Sequence, residues 1–381
     1  MPAFASRRRA AFASGLRPGE RGRRGGRMRR FLKRCIVAAV LGLLVLLTPV
    51  AYVEFACDGT PVEQRYVPRI ADPAFRRLEA NSYLTYPEWH IVFAYDGLAK
   101  VLETGDEHAF DYATSVTGFW RSTCSLMRVA SAHGGADSDT RMMIHTIGVS
   151  FTAEMAAKAV YEESIGRVAA WWRGTNKTAQ DRAVSATAVD YAAFLRQTPW
   201  YQYPFMREVG KLWAVPAGLS LRGWERRVGI GLEWTAKAGY ARVIGGAAAA
   251  SAPAALVIRS LVTGLDRERL SSMADVKVVE VRPGGVVEIE TPRYARFTQL
   301  LAEIARLGGT VSEIAGNDDI LVTLAVPRGA QPRVPGTVIL RIARDGYDGD
   351  RLLLDVPVSE LANLLRAIPP GDPGVEHVFD Y

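Results

Sequence analysis

The sequence predicts an α+β protein with a single N-terminal transmembrane helix, a mainly α-helical middle domain and a C-terminal α/β domain. Three observations favour this class. Residues 35–53 contain no charged side chain. After a connector, apolar residues recur three and four positions apart, the spacing of an amphipathic helix, as far as about residue 270. From residue 275, short valine-rich runs alternate with Gly and Pro turn signals, which is typical of strands.

Basic residues are concentrated at the N-terminus. Residues 1–34 hold 12 of the 47 Lys and Arg and one of the 40 Asp and Glu, so this tail has a net charge of +11 and the rest of the chain −4. The tail is rich in Arg, Ala and Gly without apolar periodicity, so we expect it to be disordered and cytoplasmic. Met28 begins a signal-anchor sequence, "MRRFLKRCIVAAVLG", so residues 1–27 are either an extension or lie upstream of the true start. We expect no nucleic-acid partner.

The apolar segment "CIVAAVLGLLVLLTPVAYV", residues 35–53, has the length of a membrane span. At about 1.5 Å per residue in a helix it extends roughly 28 Å, close to the hydrocarbon thickness of a bilayer. The positive flank before it predicts a cytoplasmic N-terminus, with the bulk of the chain on the other side. A cleaved signal peptide is the alternative, but its apolar region is usually only about 7–15 residues long. We expect an uncleaved signal-anchor helix.

We place an irregular connector at residues 54–80 and a helical domain at residues 81–270. The stretch "TYPEWH" predicts a helix start, because Thr85 and Glu88 have the spacing of a capping box. Pro87 is tolerated there, since the first N–H groups of a helix have no intrahelical partner.

Further helices are predicted at residues 108–130, 140–173 and 178–198, and Glu154 and Lys158 suit an i,i+4 ion pair within the second of them.

Residues 199–242 concentrate Trp and Tyr among Arg and Lys. This composition suits a membrane interface, and it equally suits a core-packing segment with solvated charges. Residues 246–258 are small and apolar, too short and too weakly hydrophobic to predict a second span.

The C-terminal domain, residues 275–381, is predicted to be one mixed or antiparallel sheet with helices on one face, loosely ferredoxin-like. The sequence Pro283-Gly284-Gly285 predicts a hairpin turn. Both predicted helices follow a strand and a proline, Pro292 and Pro357, which suggests an internal duplication. Strands are expected at residues 276–281, 286–290, 310–314, 320–326, 337–342, 351–356 and 375–380, and helices at residues 291–309 and 358–367.

The best candidate for a catalytic constellation combines Glu88, Trp89 and His90 with His145 and Glu154. These groups offer an acid, a base and an aromatic ring, and they need tertiary proximity to act together. The alternative is a packed helical core with hydrogen-bonded polar groups.

A second acidic cluster is Asp106, Glu107, His108 and Asp111. A solvated helix N-terminus has the same composition, so we expect neither a metal nor a cofactor there. The sequence "GNDD" at residues 316–319 offers cation ligands, but between two strands it predicts a turn.

Three cysteines are present. Cys35 lies at the edge of the predicted span. Cys57 and Cys124 face an oxidising compartment if the predicted topology holds, and they form either one disulfide or two free thiols.

Four segments, "YPEWHIVFAYDGLAKVL", "IGVSFTAEMAAKAVYEESIGR", "TPWYQYPF" and "EHVFDY", resemble an uncharacterised family of bacterial predicted membrane proteins. The similarity covers nearly all of the chain after residue 30. It implies a bacterial host and an N-terminal membrane segment, and it carries no activity, ligand or catalytic residue.

The sequence therefore predicts a non-enzymatic structural or interaction protein of the bacterial inner membrane. Its N-terminus would lie in the cytoplasm and its bulk in the periplasm, with the lipid bilayer and a protein bound by the C-terminal domain as partners. The alternative is an enzyme that acts on lipid or another membrane-derived substrate, with a site around Glu88, His90 and His145.

Overall fold

A computed structural model describes residues 19–60, 62, 66–248 and 257–381. Residues 1–18 of the predicted tail therefore lie outside the described residues. So does most of the small apolar segment at 246–258. The tail was expected to be disordered. Its residues 19–34 instead belong to helix α1 (Gly19–Ala56).

One described helix is long and apolar enough to cross a membrane. It is the segment Phe31–Ala56 of α1, with a mean hydropathy of 2.5, and it includes the predicted span. A signal sequence near the N-terminus can meet the same criteria of length and hydropathy, so this observation leaves both alternatives open. Met1–Pro49 and Val50–Tyr381 are separate compact units, and the last turns of α1 belong to the second.

The predicted helical domain is confirmed as far as residue 248. The predicted single helix over 140–173 is interrupted by a π-helical turn, Glu162–Gly166. Asp111 and Asp137 cap the helices that follow them, and Thr178 forms a capping box with Asp181. The helices are α2 (Ala80–Leu84), α3 (Tyr86–Thr104), α4 (Tyr112–Ala132), α5 (Ser138–Tyr161), α6 (Arg167–Arg173), α7 (Ala179–Leu195), α8 (Phe205–Ala214) and α9 (Leu221–Ala248).

The C-terminal domain begins earlier than predicted and contains two sheets instead of one. Each sheet is antiparallel and has four strands, in the orders β2-β3-β1-β4 and β6-β7-β5-β8. The elements are β1 (Val257–Thr263), α10 (Arg267–Ser271), β2 (Lys277–Arg282), β3 (Val286–Pro292), α11 (Ala295–Arg306), β4 (Thr310–Ile314), β5 (Asp319–Pro327), β6 (Thr337–Ala343), β7 (Gly349–Pro357), α12 (Val358–Ala367) and β8 (Gly374–Val378).

Strand β1 corrects the expectation that helix continues to about residue 270. It pairs with β3 on one side and β4 on the other, and most of its residues are at least partly buried. A strand in this position lacks the clear polar alternation that identifies a strand in sequence.

The two sheets repeat one order of elements, which agrees with the duplication that the prolines suggested. The first follows the ferredoxin-like order β-α-β-β-α-β, and the second repeats it with a loop in place of the first helix. Pro292 ends β3 and Pro357 ends β7, each before its helix. Helices α11 and α12 contact each other, and their apolar residues form one core with both sheets.

The central strands of the second sheet, β5 and β7, are buried on both faces. Alternate residues of a strand point to opposite faces. Accordingly, Ile320 and Val322 of β5 pack with α11 and α12, whereas Leu321 packs with the helical domain. This double burial explains why β5 is an almost continuous apolar run.

The last residues of the chain connect the helical domain to this sheet through ring packing and a hydrogen bond. The ring of Trp89 stacks on His377 with centroids 3.5 Å apart, and Phe379 packs against Tyr86. The Ser82 hydroxyl donates to the carbonyl of Phe379 at 2.9 Å. Two of the segments that suggested the family resemblance, "YPEWH" and "EHVFDY", therefore contact each other in the core.

Candidate functional site

The capping box predicted at the start of α3 is wrong. Thr85 has helical backbone angles, so α2 leads into α3 almost without a break. Its hydroxyl donates to the carbonyl of Ser82 at 3.0 Å and makes no capping bond. An N-cap needs a non-helical backbone to aim its side chain at the following N–H groups, and the preceding helical turn removes that geometry.

His90 is a core histidine. Its Nε2–H donates to the carbonyl of Ser115 at 2.9 Å, and its ring meets Phe119 and Phe151 edge-on. Burial lowers the pKa of His90 to about 3, so the ring stays neutral at physiological pH. The neighbouring Glu88 is exposed on α3.

The other two candidate residues have different partners. His145 donates from Nε2 to Glu54 at 2.5 Å, at the end of α1. Glu154 accepts from Tyr95 and pairs with Lys237 Nζ at 2.7 Å. The predicted constellation is therefore divided among separate contacts, and none of its members lines either of the two best-defined cavities of the described chain.

A buried ion network occupies the helical domain. Arg222 and Arg226 of α9 are 1% and 0% exposed. Arg226 Nη1 lies 2.7 Å from Glu107 Oε1, and Nη2 lies 3.0 Å from Glu162 Oε2. Burial raises the pKa of Glu162, and Arg226 opposes that shift.

The same network absorbs most of the acidic cluster that the sequence offered as a metal candidate. Asp106 pairs with Arg173 at 2.9 Å, and Arg173 holds the pKa of Asp106 below its usual value against the effect of burial. Asp111 caps α4. Arginine therefore neutralises Asp106 and Glu107, which leaves the cluster a poor ligand set for a cation.

A second ion cluster continues the network between α5 and α9. Lys158 pairs with Glu233 at 2.7 Å, so the pair expected within α5 between Glu154 and Lys158 is replaced by pairs to α9. A cavity of about 40 Å³ lies beside this ion cluster and is lined by Lys158, Lys237 and Tyr95. This volume holds a few water molecules. A wider groove of about 590 Å³ lies between residues 201–207 and the end of α9.

A histidine–carboxylate cluster joins the helical domain to the second sheet. Ligand atoms of Glu79, His133 and Asp319 all lie within 4.8 Å of one another, a spacing that suits a metal ion. His133 donates from Nδ1 to Glu79 at 3.1 Å, and its Nε2 lies 3.8 Å from Asp355. The sequence predicted no metal ligands here, because the residues come from three distant segments; Asp319 belongs to the "GNDD" turn.

The electrostatics of this histidine–carboxylate cluster favour shared protons. Burial and the nearby Asp355 and Glu79 raise the pKa of Asp319 to about 6. Burial lowers the pKa of His133, but the carboxylates of Glu79 and Asp355 outweigh it and the net shift is upward. The Tyr83 hydroxyl donates to Asp355 at 2.6 Å. A proton or a cation would relieve the repulsion among the carboxylates.

Cys57 and Cys124 are joined by a disulfide, with Cα atoms 5.1 Å apart. Cys35 is free and exposed. Of the two alternatives that the sequence left open, the structure has the bonded one.

Sequence reasoning missed the ion network as a buried feature, although a signal was present. Glu154, Lys158 and Glu162 lie four positions apart and form one charged stripe along α5 and the start of the π-helical turn. Arg226, Glu233 and Lys237 form a matching stripe on α9. Two such stripes among apolar residues indicate helices that pair through their charges.

Comparison with known proteins gives no relative from which a role could be transferred. A scan against models of protein families, a search of curated proteins and a search of solved structures each found no match to this chain. The resemblance to a family of bacterial membrane proteins stays a prediction, and function has to be argued from the contacts above.

Proposed function

We propose that this protein is a membrane-anchored structural or interaction protein whose folded unit lies outside the cytoplasm. The observation that carries the proposal is the junction after the apolar helix. Cys57, the residue after α1, is disulfide-bonded to α4, and Glu54 binds His145 and Arg141 of α5. The end of the anchor is thus built into the folded domain.

The disulfide supports the orientation. Disulfides persist in oxidising compartments such as the bacterial periplasm and are rare in the cytoplasm. The positive residues before the span favour the same orientation. Both arguments support a periplasmic location for residue 57 and the folded unit after it.

A non-catalytic role is supported by how the polar side chains are used. Of the groups proposed as an active site, His90, His145 and Glu154 each make a structural contact. The buried charges of the helical domain neutralise one another. An enzyme acting on lipid would need Glu88, His90 and His145 at a shared cavity, and the contacts above give that alternative no support.

The C-terminal domain supplies a surface for a protein partner. Strand β2 is an edge of the first sheet, and its Val281 is 50% exposed. An edge strand can pair with a strand of another protein. A photo-crosslinker at Val281 should capture a protein in the native membrane, whereas one at the exposed Arg306 of α11 should not. Equal capture at both positions would contradict binding at this edge.

The orientation can be tested by limited proteolysis of spheroplasts that express the full chain. A C-terminal reporter is unsuitable, because Tyr381 is only 3% exposed and its main-chain oxygen accepts from Arg293. The loop between β5 and β6 contains two exposed arginines, Arg328 and Arg333. We expect added trypsin to cleave there in intact spheroplasts and an Arg328→Gln/Arg333→Gln variant to resist. Cleavage of the loop only after lysis would refute the topology.

A further inference from the structure

Helix α9 buries arginines beside Ile230 and Trp234 and exposes large apolar side chains, which is unusual for a helix of a water-soluble domain. Its arginines Arg222 and Arg226 are 1% and 0% exposed, whereas Val228 and Leu232 are 58% and 71% exposed. Soluble helices bury the apolar stripe and expose the charged one. The exposed residues of α9 from Leu221 to Tyr240 include no charged side chain; they are Leu221, Trp224, Val228, Leu232, Thr235, Ala236, Gly239 and Tyr240.

Helix α5 buries apolar residues, including Phe151 and Met155, and it also exposes an uncharged side. Its charged residues Glu154 and Lys158 pair with α9, and Val160 on the outside is 73% exposed. From position 142 to position 160 the exposed residues are again uncharged: Met142, Met143, Thr146, Ser150, Ala153, Ala156, Ala157 and Val160. We call the exposed residues of α5 and α9 in these two lists the outer face.

The ion pairs fix the direction of the two helices. Glu154 pairs with Lys237, Lys158 with Glu233, and Glu162 with Arg226. Rising numbers along α5 and the π-helical turn therefore meet falling numbers on α9. The helices are therefore antiparallel.

The antiparallel pairing gathers tryptophans at one end. The end of α6 lies near the start of α9, because Arg173 and Arg222 both bind Asp181. At this end Trp171 and Trp172 are 76% and 70% exposed and Trp224 is 46% exposed. Tryptophan is enriched where the hydrocarbon of a bilayer meets its headgroups.

These observations select lipid as the occupant of the outer face. An uncharged face that runs for about 19 residues extends roughly 28 Å at 1.5 Å per residue. A water-exposed apolar surface of this extent is unfavourable without a covering partner. Within the folded unit, His145 near the start of α5 binds Glu54, and the anchoring proposed above brings a bilayer to Glu54.

We propose that the outer face of α5 and α9 contacts the acyl chains of the bilayer, with Trp171, Trp172 and Trp224 at the headgroup boundary. The charged stripes then face each other inside the protein, away from lipid. This inference rests on the membrane anchoring proposed above and extends it: the helical domain is a lipid-contacting domain and not only a tethered one.

Site-directed spin labelling of the full chain tests this. Cys35→Ser removes the free thiol, and the disulfide of Cys57 and Cys124 stays intact. Single labels are placed at Val228→Cys, Leu232→Cys and Val160→Cys in vesicles of phosphatidylcholine and phosphatidylglycerol. The matched control is Val338→Cys, a valine of β6 that is 50% exposed. Collisions with oxygen, which partitions into lipid, are compared with collisions with a water-soluble nickel chelate.

We expect the labels on the outer face to lose collisions with the nickel chelate and to gain collisions with oxygen, while Val338→Cys shows the reverse. Nickel access at Val228→Cys and Leu232→Cys equal to that of the control would overturn the proposal. So would low access to both reagents with spin–spin broadening, since a second copy of the chain would then cover the face. A failure of anchoring is distinguishable, because the chain would leave the vesicle fraction at every label position.

Discussion

Replacing Arg226 with methionine should destabilise the folded unit more than any exposed substitution on the same helix. The Arg226 guanidinium lies within 3.0 Å of carboxylate oxygens from Glu107, Glu162 and Glu225. Methionine keeps much of the side-chain length and removes the charge, so three buried carboxylates lose their shared cation. Removing one partner of a buried ion pair costs about 3–5 kcal/mol, since the remaining charge is left in a medium of low dielectric constant.

This free energy converts into a measurable melting shift. At roughly 2.1 cal/mol/K of unfolding entropy per residue, a unit the length of Val50–Tyr381 should melt about 4–7 °C lower. Tryptophan fluorescence of the full chain in detergent can follow the transition. Arg226→Lys, which keeps the charge but not the planar fork, should fall between the wild type and the methionine variant.

The control for this experiment is Arg242→Met, at an exposed arginine of α9. We expect it to change the stability by less than about 0.5 kcal/mol. If Arg226→Met has the same melting temperature as Arg242→Met and the wild type, the buried carboxylates do not need the charge of Arg226. The explanation of a neutralised interior network would then be wrong.

Three further predictions address the other sites. Asp319→Asn should stabilise the protein by about 1 kcal/mol at pH 7 in denaturant titrations, a figure discounted for the partial exposure of Asp319, and by nothing near pH 3.8. The sign follows because the folded pKa of about 6 exceeds the usual 3.8, so ionisation costs stability as pH rises through that window; a gain that persists at pH 3.8 would contradict the repulsion argument. Cys57→Ser should cost about 2–4 kcal/mol in the same titrations, because it opens a loop of 67 residues, and a reductant should lower only the wild type to that value. Thr85→Ala should change the melting temperature no more than an exposed substitution does, because Thr85 makes no capping bond; a loss of 1 kcal/mol or more would restore the capping box.

Local patterns were sufficient for most individual elements. The hairpin at Gly284 and Gly285 was predictable because both residues have positive φ, which glycine adopts without a steric cost. Helix α12 begins directly after Pro357, as the sequence indicated. These features depend on residues that are close together in the chain, so they can be predicted from the sequence.

Features that depend on burial on both sides were not predictable. Strand β1 has neighbours on both sides, and the second sheet packs between α11 and α12 on one face and the helical domain on the other. Such strands lose the alternation by which a strand is recognised. For the same reason the sequence could suggest a duplication from Pro292 and Pro357 but not the separation into two sheets.

The sequence by itself determined the α+β class, the apolar helix before residue 57 and the helices whose caps and periodicity are local. Only the tertiary structure decided what the polar residues do. It divided His90, His145 and Glu154 among unrelated partners, and it brought Glu79, His133 and Asp319 together from three segments. The physical reason is that the free energy of a buried charge depends on which opposite charge the fold places within a few ångströms, and that distance is not encoded in any local pattern.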